Sequence, residues 1–147
     1  MKNTNLRFLA LALLAAACQS QAAVGAIRGT VQAVVDGQVA DPSGAIVMLC
    51  DGPGRECKEV ARLALQGSEG GDGISAAYVF TGQSKPLKVR AWRDENGNGV
   101  VDRGDLEGWY FDGLGDPARL SPGGYGGDIT MYAVGSLEWN EYAGIGG

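Results

Sequence analysis

Short apolar segments separated by glycine-rich turns run through the chain from residue 27 onward, and most of them alternate apolar and polar positions. A period of two is typical of a β-strand with one buried face. Segment 45–50 is apolar throughout, which indicates a strand buried on both faces. The pattern predicts strands at 27–35, 45–50, 58–65, 75–81, 87–93, 108–111 and 128–134.

Seven short strands at this spacing, with 25 glycines in 147 residues, predict an all-β fold. The expected architecture is a seven-stranded antiparallel Greek-key β-sandwich over residues 23–134. Residues 66–73 are glycine-rich and acidic and are predicted to form a loop, and residues 135–147 form a glycine-rich C-terminal tail. No segment after residue 22 has the pattern of an amphipathic helix.

The first 22 residues have the composition of a secretory signal peptide. Lys2 and Arg7 precede an apolar run of ten residues, 8–17, which is too short to span a bilayer. Cleavage after Ala22 would suit the ordinary signal peptidase. Alternatively, residues 1–17 form a lipoprotein signal, and Cys18 becomes the lipidated first residue of the mature chain. Both readings predict an exported protein, with membrane attachment only through that lipid anchor.

Two further cysteines, Cys50 and Cys57, flank an interval that contains Gly52, Pro53 and Gly54. These residues mark a turn, so the cysteines should face each other at the ends of two strands. An oxidising compartment permits a disulfide between them. The alternatives are two reduced thiols or a metal pair, although a chain without histidine offers no further ligand for a zinc site.

The charge of the chain excludes some partners. Removal of Lys2 and Arg7 with the leader lowers Lys plus Arg from 12 to 10 against 17 acidic residues, a net charge of −7. Such a surface argues against nucleic acid and anionic lipid. The absence of histidine removes the commonest general base, and no serine has an evident base partner, so we do not expect an enzyme.

Residues 94–105 have the spacing of a calcium loop. Hard cations prefer six to eight oxygen ligands, and an EF-hand loop supplies them from positions 1, 3, 5, 7, 9 and 12 with glycine at position 6. Gly99 stands at position 6, and position 7 needs only a main-chain carbonyl. The candidate ligands are Asp94, Asn96, Asn98, Val100, Asp102 and Asp105. The alternative is an acidic Asn-Gly turn without metal.

Aromatic residues adjoin this loop on both sides. Trp92 precedes it, and Trp109, Tyr110 and Phe111 follow it. Rings beside calcium can hold a sugar by stacking, which makes Trp92, Trp109 and Tyr110 candidate ligand-stacking residues. The alternative is that alternate members of the run fill the core.

Two segments carry a resemblance to known families. Gly29, Thr30 and Val31, followed by Gly37 and the run 44–49, resemble the opening of carboxypeptidase-regulatory-like, or transthyretin-like, domains. Residues 89–99 resemble a group of exported bacterial proteins of that architecture and are similar to the B-type repeats of Gram-positive surface adhesins. The resemblance covers about residues 26–134. It implies a transthyretin-like sandwich and calcium, and no single activity.

The sequence therefore predicts an exported calcium-binding β-sandwich with a structural or adhesive role at the cell envelope. Its partner would be an envelope protein or a glycan. The alternative is a carbohydrate- or peptide-binding lipoprotein that uses the aromatic residues beside the loop.

Overall fold

The computed structural model describes residues 24–66, 74–111, 116–124 and 126–143. The predicted signal peptide, Cys18 and most of the predicted loop 66–73 lie outside these ranges. The described residues form nine strands and one short helix, which confirms the all-β class. None of them belongs to a helix long and apolar enough to cross a membrane.

The strands agree closely with the apolar pattern. In chain order they are β1 (Gly25–Val35), β2 (Gln38–Ala40), β3 (Ile46–Asp51), β4 (Lys58–Ala64), β5 (Ser75–Gln83), β6 (Leu87–Arg93), β7 (Leu106–Trp109), β8 (Arg119–Leu120) and β9 (Ile129–Ala133). The segment predicted at 108–111 begins two residues earlier than expected. The short strands β2 and β8 were not predicted.

One connected sheet follows the order β2-β1-β9-β7-β6-β3-β4, and β5 and β8 pair with β1 and β6. The expectation of purely antiparallel strands needs one correction, because β1 and β9 are parallel, with Val31 opposite Ile129. Strand β9 lies between β7 and β1 and is antiparallel to β7 only. Sequence patterns do not report such a long-range pairing, since the two strands are almost 100 residues apart.

The main core collects buried residues from seven of the nine described strands, namely β1, β3, β5, β6, β7, β8 and β9. Strand β3 lies between β4 and β6, and it is apolar on both faces because Val47 and Leu49 enter the main core while Met48 and Cys50 enter a second cluster. The largest buried members of this core are Tyr78, Ile27, Leu49, Leu87, Leu106, Ile129 and Met131.

A second, smaller cluster lies on the other face of β3, β6 and β7. Met48, Cys50 and Trp109 are buried there. The cluster is bordered by the helix α1 (Leu137–Tyr142), which begins at the N-cap Ser136. The hydroxyl of Tyr142 accepts a hydrogen bond from the backbone N–H of Trp109 and donates one to its carbonyl. The predicted tail is therefore helical over these six residues.

The predicted disulfide is confirmed. Cys50 and Cys57 are bonded, with their Cα atoms 4.7 Å apart across the β3–β4 hairpin. The turn between them is also held by Lys88, whose buried Nζ donates hydrogen bonds to the carbonyls of Gly54 at 2.6 Å and Glu56 at 2.8 Å. Burial lowers the pKa of this lysine. Covalent and polar contacts thus fix the same turn.

Replacing both cysteines with alanine should lower the free energy of unfolding by about 2–3 kcal/mol, since the bond closes a short loop in the unfolded chain. Urea denaturation of the double variant and the parent, each with and without reductant, measures this difference. The reductant should destabilise the parent by a similar amount and leave the variant unchanged. If the urea midpoint of the parent were the same with and without reductant, although the unfolded chain exposes the disulfide to it, the prediction would be contradicted.

Candidate metal centre

The candidate loop, residues 94–105, joins the end of β6 to the start of β7. The residues on either side of it, Arg93 and Leu106, are paired across the two strands. The loop therefore leaves the sheet and returns to it at directly opposite positions. The pairing of β6 with β7 fixes both ends of the loop. Only the twelve residues between these ends remain to be ordered.

Asp94 organises the first half of the loop. Its Oδ1 accepts hydrogen bonds from the backbone N–H groups of Gly97 at 2.7 Å and Asn98 at 3.3 Å, and its Oδ2 accepts one from Gly99 at 2.6 Å. Gly97 and Gly99 have φ of +73° and +76°, the left-handed region that favours glycine. Gly99, at position 6, thus adopts the backbone conformation for which the calcium-loop pattern requires glycine.

Asp102 is the point at which three candidate ligands meet. Its carboxylate accepts hydrogen bonds from Asn96 Nδ2, at 2.9 and 3.1 Å to its two oxygens, and from Asn98 Nδ2 at 2.5 Å. The residues at positions 3, 5 and 9 therefore converge, but the asparagines do so through their amide nitrogens, and a shared cation would need both amide groups to turn their oxygens toward it. The amide hydrogens supply the partial positive charge that this carboxylate would otherwise find in a metal ion.

The oxygens of the two asparagines are directed at the loop's own backbone. Asn96 Oδ1 accepts from the N–H of Asn98 at 3.0 Å, and Asn98 Oδ1 accepts from the N–H of Val100 at 2.9 Å. An amide oxygen has two lone pairs, so each retains capacity for a second partner. The side chain of Val100 is 62% exposed, which agrees with a residue that serves through its backbone alone.

Asp105 has a different environment from the other carboxylates. It is 1% exposed. Its Oδ1 accepts from the N–H of Glu95 at 3.0 Å, and its Oδ2 accepts from the N–H of Asp102 at 3.1 Å and from Trp92 Nε1 at 3.3 Å. Burial alone would raise the pKa of Asp105, but these hydrogen bonds together lower it. Its contacts make Asp105 a buried tie between the two ends of the loop.

The chemistry of the donor set suits a hard cation only when amide and main-chain oxygens take part. No group of three or more cysteine, aspartate or glutamate side chains in the described ranges is arranged to hold a metal ion. Asp94 and Asp102 would contribute carboxylates, Asn96 and Asn98 amide oxygens, and Val100 a carbonyl. All five are oxygen donors of the kind that calcium prefers.

The aromatic residues beside the loop have different exposures. Trp109 is 3% exposed and belongs to the second cluster, with the guanidinium of Arg90 5.3 Å and the ammonium of Lys88 5.5 Å from its ring centre. Its buried ring does not offer a free face for a sugar. Trp92 and Tyr110 are half-buried, and the indole N–H of Trp92 is directed at Asp105. Trp109 therefore fits the alternative interpretation, in which members of the aromatic run fill the core.

Sequence reasoning missed a buried polar group next to these rings. Glu107 is 8% exposed, and its Oε1 accepts from Arg90, whose NH2 group is 2.8 Å away, and from Trp109 Nε1 at 3.2 Å. Trp139 of α1 donates to its Oε2 at 3.3 Å. The sequence offered no direct signal, because Glu107 lies just before the predicted strand 108–111. A carboxylate is buried only with such partners.

Comparison of the chain with protein families, with curated proteins and with solved structures finds no match.

Proposed function

We propose that this protein is an exported calcium-binding β-sandwich with a structural or adhesive role at the cell envelope. The cation would lie in the loop between β6 and β7, held by Asp94, Asn96, Asn98, Asp102 and the carbonyl of Val100. The convergence of Asn96 and Asn98 on the carboxylate of Asp102 is the observation that carries this proposal. Asp105, the candidate ligand at position 12, would close the loop through its buried hydrogen bonds.

The proposed arrangement of the strands is a two-layered Greek-key sandwich of the transthyretin type. Its support is the main core, which combines the inward residues of β1, β5 and β9 with those of β3 and β6. The candidate loop would then project from one end of the sandwich. A cation in that position stiffens the connection between two adjacent strands, which suits a load-bearing or adhesive surface module.

The role proposed for the cation is stabilisation. Without it, the carboxylates of Asp94 and Asp102 lie in one short loop and depend on amide hydrogens for compensating charge. Ordering the loop costs about 1–2 kcal/mol of backbone entropy per residue, and a cation that binds only the folded loop offsets part of this cost. Millimolar calcium outside the cytoplasm fits the dissociation constants of about 10⁻⁴–10⁻³ M found for extracellular modules.

Calcium titration of the purified protein tests the proposal. We expect a dissociation constant of about 10⁻⁴–10⁻³ M by isothermal titration calorimetry. At a hundredfold excess over that constant, calcium should stabilise the fold by about 2.7 kcal/mol, which raises Tm by about 10 °C. The same titration with magnesium measures selectivity.

Asp102→Asn should abolish most of the calcium-dependent rise in Tm and change Tm little in EDTA, because it removes charge and leaves the buried contacts of the loop in place. The matched control is Asp36→Asn, which makes the same charge change in the exposed β1–β2 turn, where φ of +51° is well tolerated by asparagine. No binding heat at millimolar calcium, or equal behaviour of the two variants, would refute the proposal.

A further inference from the structure

Two adjacent Asn-Gly pairs lie in the exposed candidate loop. Asn96 precedes Gly97 and Asn98 precedes Gly99, and all four residues are exposed. The backbone nitrogen of a residue that follows asparagine can attack the side-chain carbonyl carbon of that asparagine. Glycine in the following position lowers the barrier, since it has no Cβ to obstruct the approach and its backbone adopts strained conformations easily.

We propose that Asn96 and Asn98 form a paired site of spontaneous deamidation, which Asp94 and Asp102 protect while the loop is folded. In each step a bond forms between the glycine nitrogen and the asparagine Cγ, and the side-chain nitrogen leaves as ammonia. Water then opens the resulting five-membered imide at one of its two carbonyl carbons. The product is aspartate or isoaspartate.

The hydrogen bonds of the loop engage both reacting groups. The attacking nitrogens are those of Gly97 and Gly99, and each donates its proton to an oxygen of Asp94, at 2.7 and 2.6 Å. Attack requires that proton to leave, and the adjacent negative carboxylate disfavours the amide anion that would result. The nitrogen must also turn away from Asp94 to reach the Cγ atom of its own asparagine.

The leaving groups are held in a similar way. The side-chain nitrogens of Asn96 and Asn98 both donate to the carboxylate of Asp102. Their oxygens accept from the backbone at Asn98 and Val100, which fixes the orientation of each amide plane. The reaction is therefore confined to moments when the loop opens.

The chemistry itself needs no bound cation, but its consequence rests on the proposed function. Conversion of both asparagines to aspartate would place carboxylates at loop positions 1, 3 and 5. Calcium loops adjust their affinity through the number of charged ligands, so the Asn96→Asp, Asn98→Asp double variant should bind calcium about tenfold more tightly. Isoaspartate instead lengthens the backbone and should weaken binding.

Peptide mapping by mass spectrometry after long incubation in EDTA at neutral pH tests the proposal, because it separates asparagine, aspartate and isoaspartate at each position. The Asp94→Ala variant should deamidate about tenfold faster than the parent at both sites, the gain expected from the loss of the protecting hydrogen bonds. The matched control Asp36→Ala, which removes an aspartate from another glycine turn, should match the parent. Asn140, inside α1 and followed by Glu141, is the internal reference and should react far more slowly.

The parent in urea gives a second measurement that does not depend on folding of the variant. Residues 96 and 98 should deamidate about tenfold faster in the unfolded chain. Equal rates in folded and unfolded parent, or equal rates in the parent and a folded Asp94→Ala variant, would overturn the proposal. Protected sites in a protein that binds no calcium would uphold this inference and refute the proposed function.

Discussion

Replacing Asp105 with alanine should lower the free energy of unfolding by about 3 kcal/mol even when EDTA removes all calcium. The substitution leaves the backbone N–H groups of Glu95 and Asp102 and the indole N–H of Trp92 without their acceptor. Each unsatisfied donor costs about 1–3 kcal/mol when buried, and partial access of water to these groups reduces the sum. Urea denaturation in EDTA measures the loss.

Two companion variants separate the roles of the carboxylates. Asp105→Asn retains one acceptor oxygen and should lie between the parent and Asp105→Ala. Asp102→Asn, in the exposed part of the loop, should have little effect in EDTA and a large effect in calcium. If Asp105→Ala destabilises the protein only in calcium, the contacts that we assign to Asp105 do not hold the loop, and it acts as a metal ligand instead.

The result would also explain an ambiguity of the sequence. Asp105 occupies position 12 of the loop, where an EF-hand has a long bidentate glutamate. A shorter side chain at the start of β7 lies closer to the backbone, so it can accept from Glu95, ten residues earlier. Spacing alone indicates a carboxylate that faces the loop, and it does not distinguish a ligand from a hydrogen-bond acceptor.

Local patterns predicted most of the strands correctly, for a physical reason. Strand β6 has the predicted bounds because Leu87, Val89 and Ala91 all enter the main core, while the alternate residues face the second cluster. The continuous apolar run in β3 was interpreted correctly because both of its faces are covered. The disulfide followed from the turn residues between its cysteines.

Elements that depend on distant partners were not predictable in this way. Strand β7 begins at Leu106, two residues before the predicted start, and the buried carboxylate of Glu107 within it pairs with Arg90 on β6. Helix α1 is only six residues long. Its Trp139 and Tyr142 side chains donate hydrogen bonds to Glu107 and Trp109 of β7, and these contacts hold the helix against the sheet. A window of sequence contains neither of these partners.

The candidate site shows the same division. The side chains that meet around Asp102 lie within seven residues of one another, and their spacing was informative. The burial of Trp109 depends on Lys88 and Arg90 of the neighbouring strand, whose side chains lie over its ring. A stacking role for Trp109 would require its ring to be exposed. Whether the ring is exposed is decided only when the sheet is assembled.

Gly108→Ala should be among the most damaging single substitutions in the chain. A Cβ atom at this position of β7 would lie 2.3 Å from the carbonyl oxygen of Thr130 and 2.8 Å from the Cγ2 atom of Ile129. The oxygen belongs to the backbone of β9, which lies between β7 and β1, so the clash cannot be relieved by rotation of a side chain. Overpacking of a core typically costs about 1–3 kcal/mol, and displacement of a paired strand should reach or exceed the upper value.

The midpoint of urea denaturation in EDTA measures this effect apart from any cation. A suitable control is Gly37→Asn, because Gly37 has φ of +72° in an exposed turn and its Cβ would meet no atom within 4 Å. Asparagine tolerates that backbone conformation, so the control should lose about 1 kcal/mol or less. Similar midpoints for the two variants would mean that β7 and β9 do not approach closely at Gly108. In that case the start of β7, and with it the anchoring of the candidate loop at Asp105, would have to be reassigned.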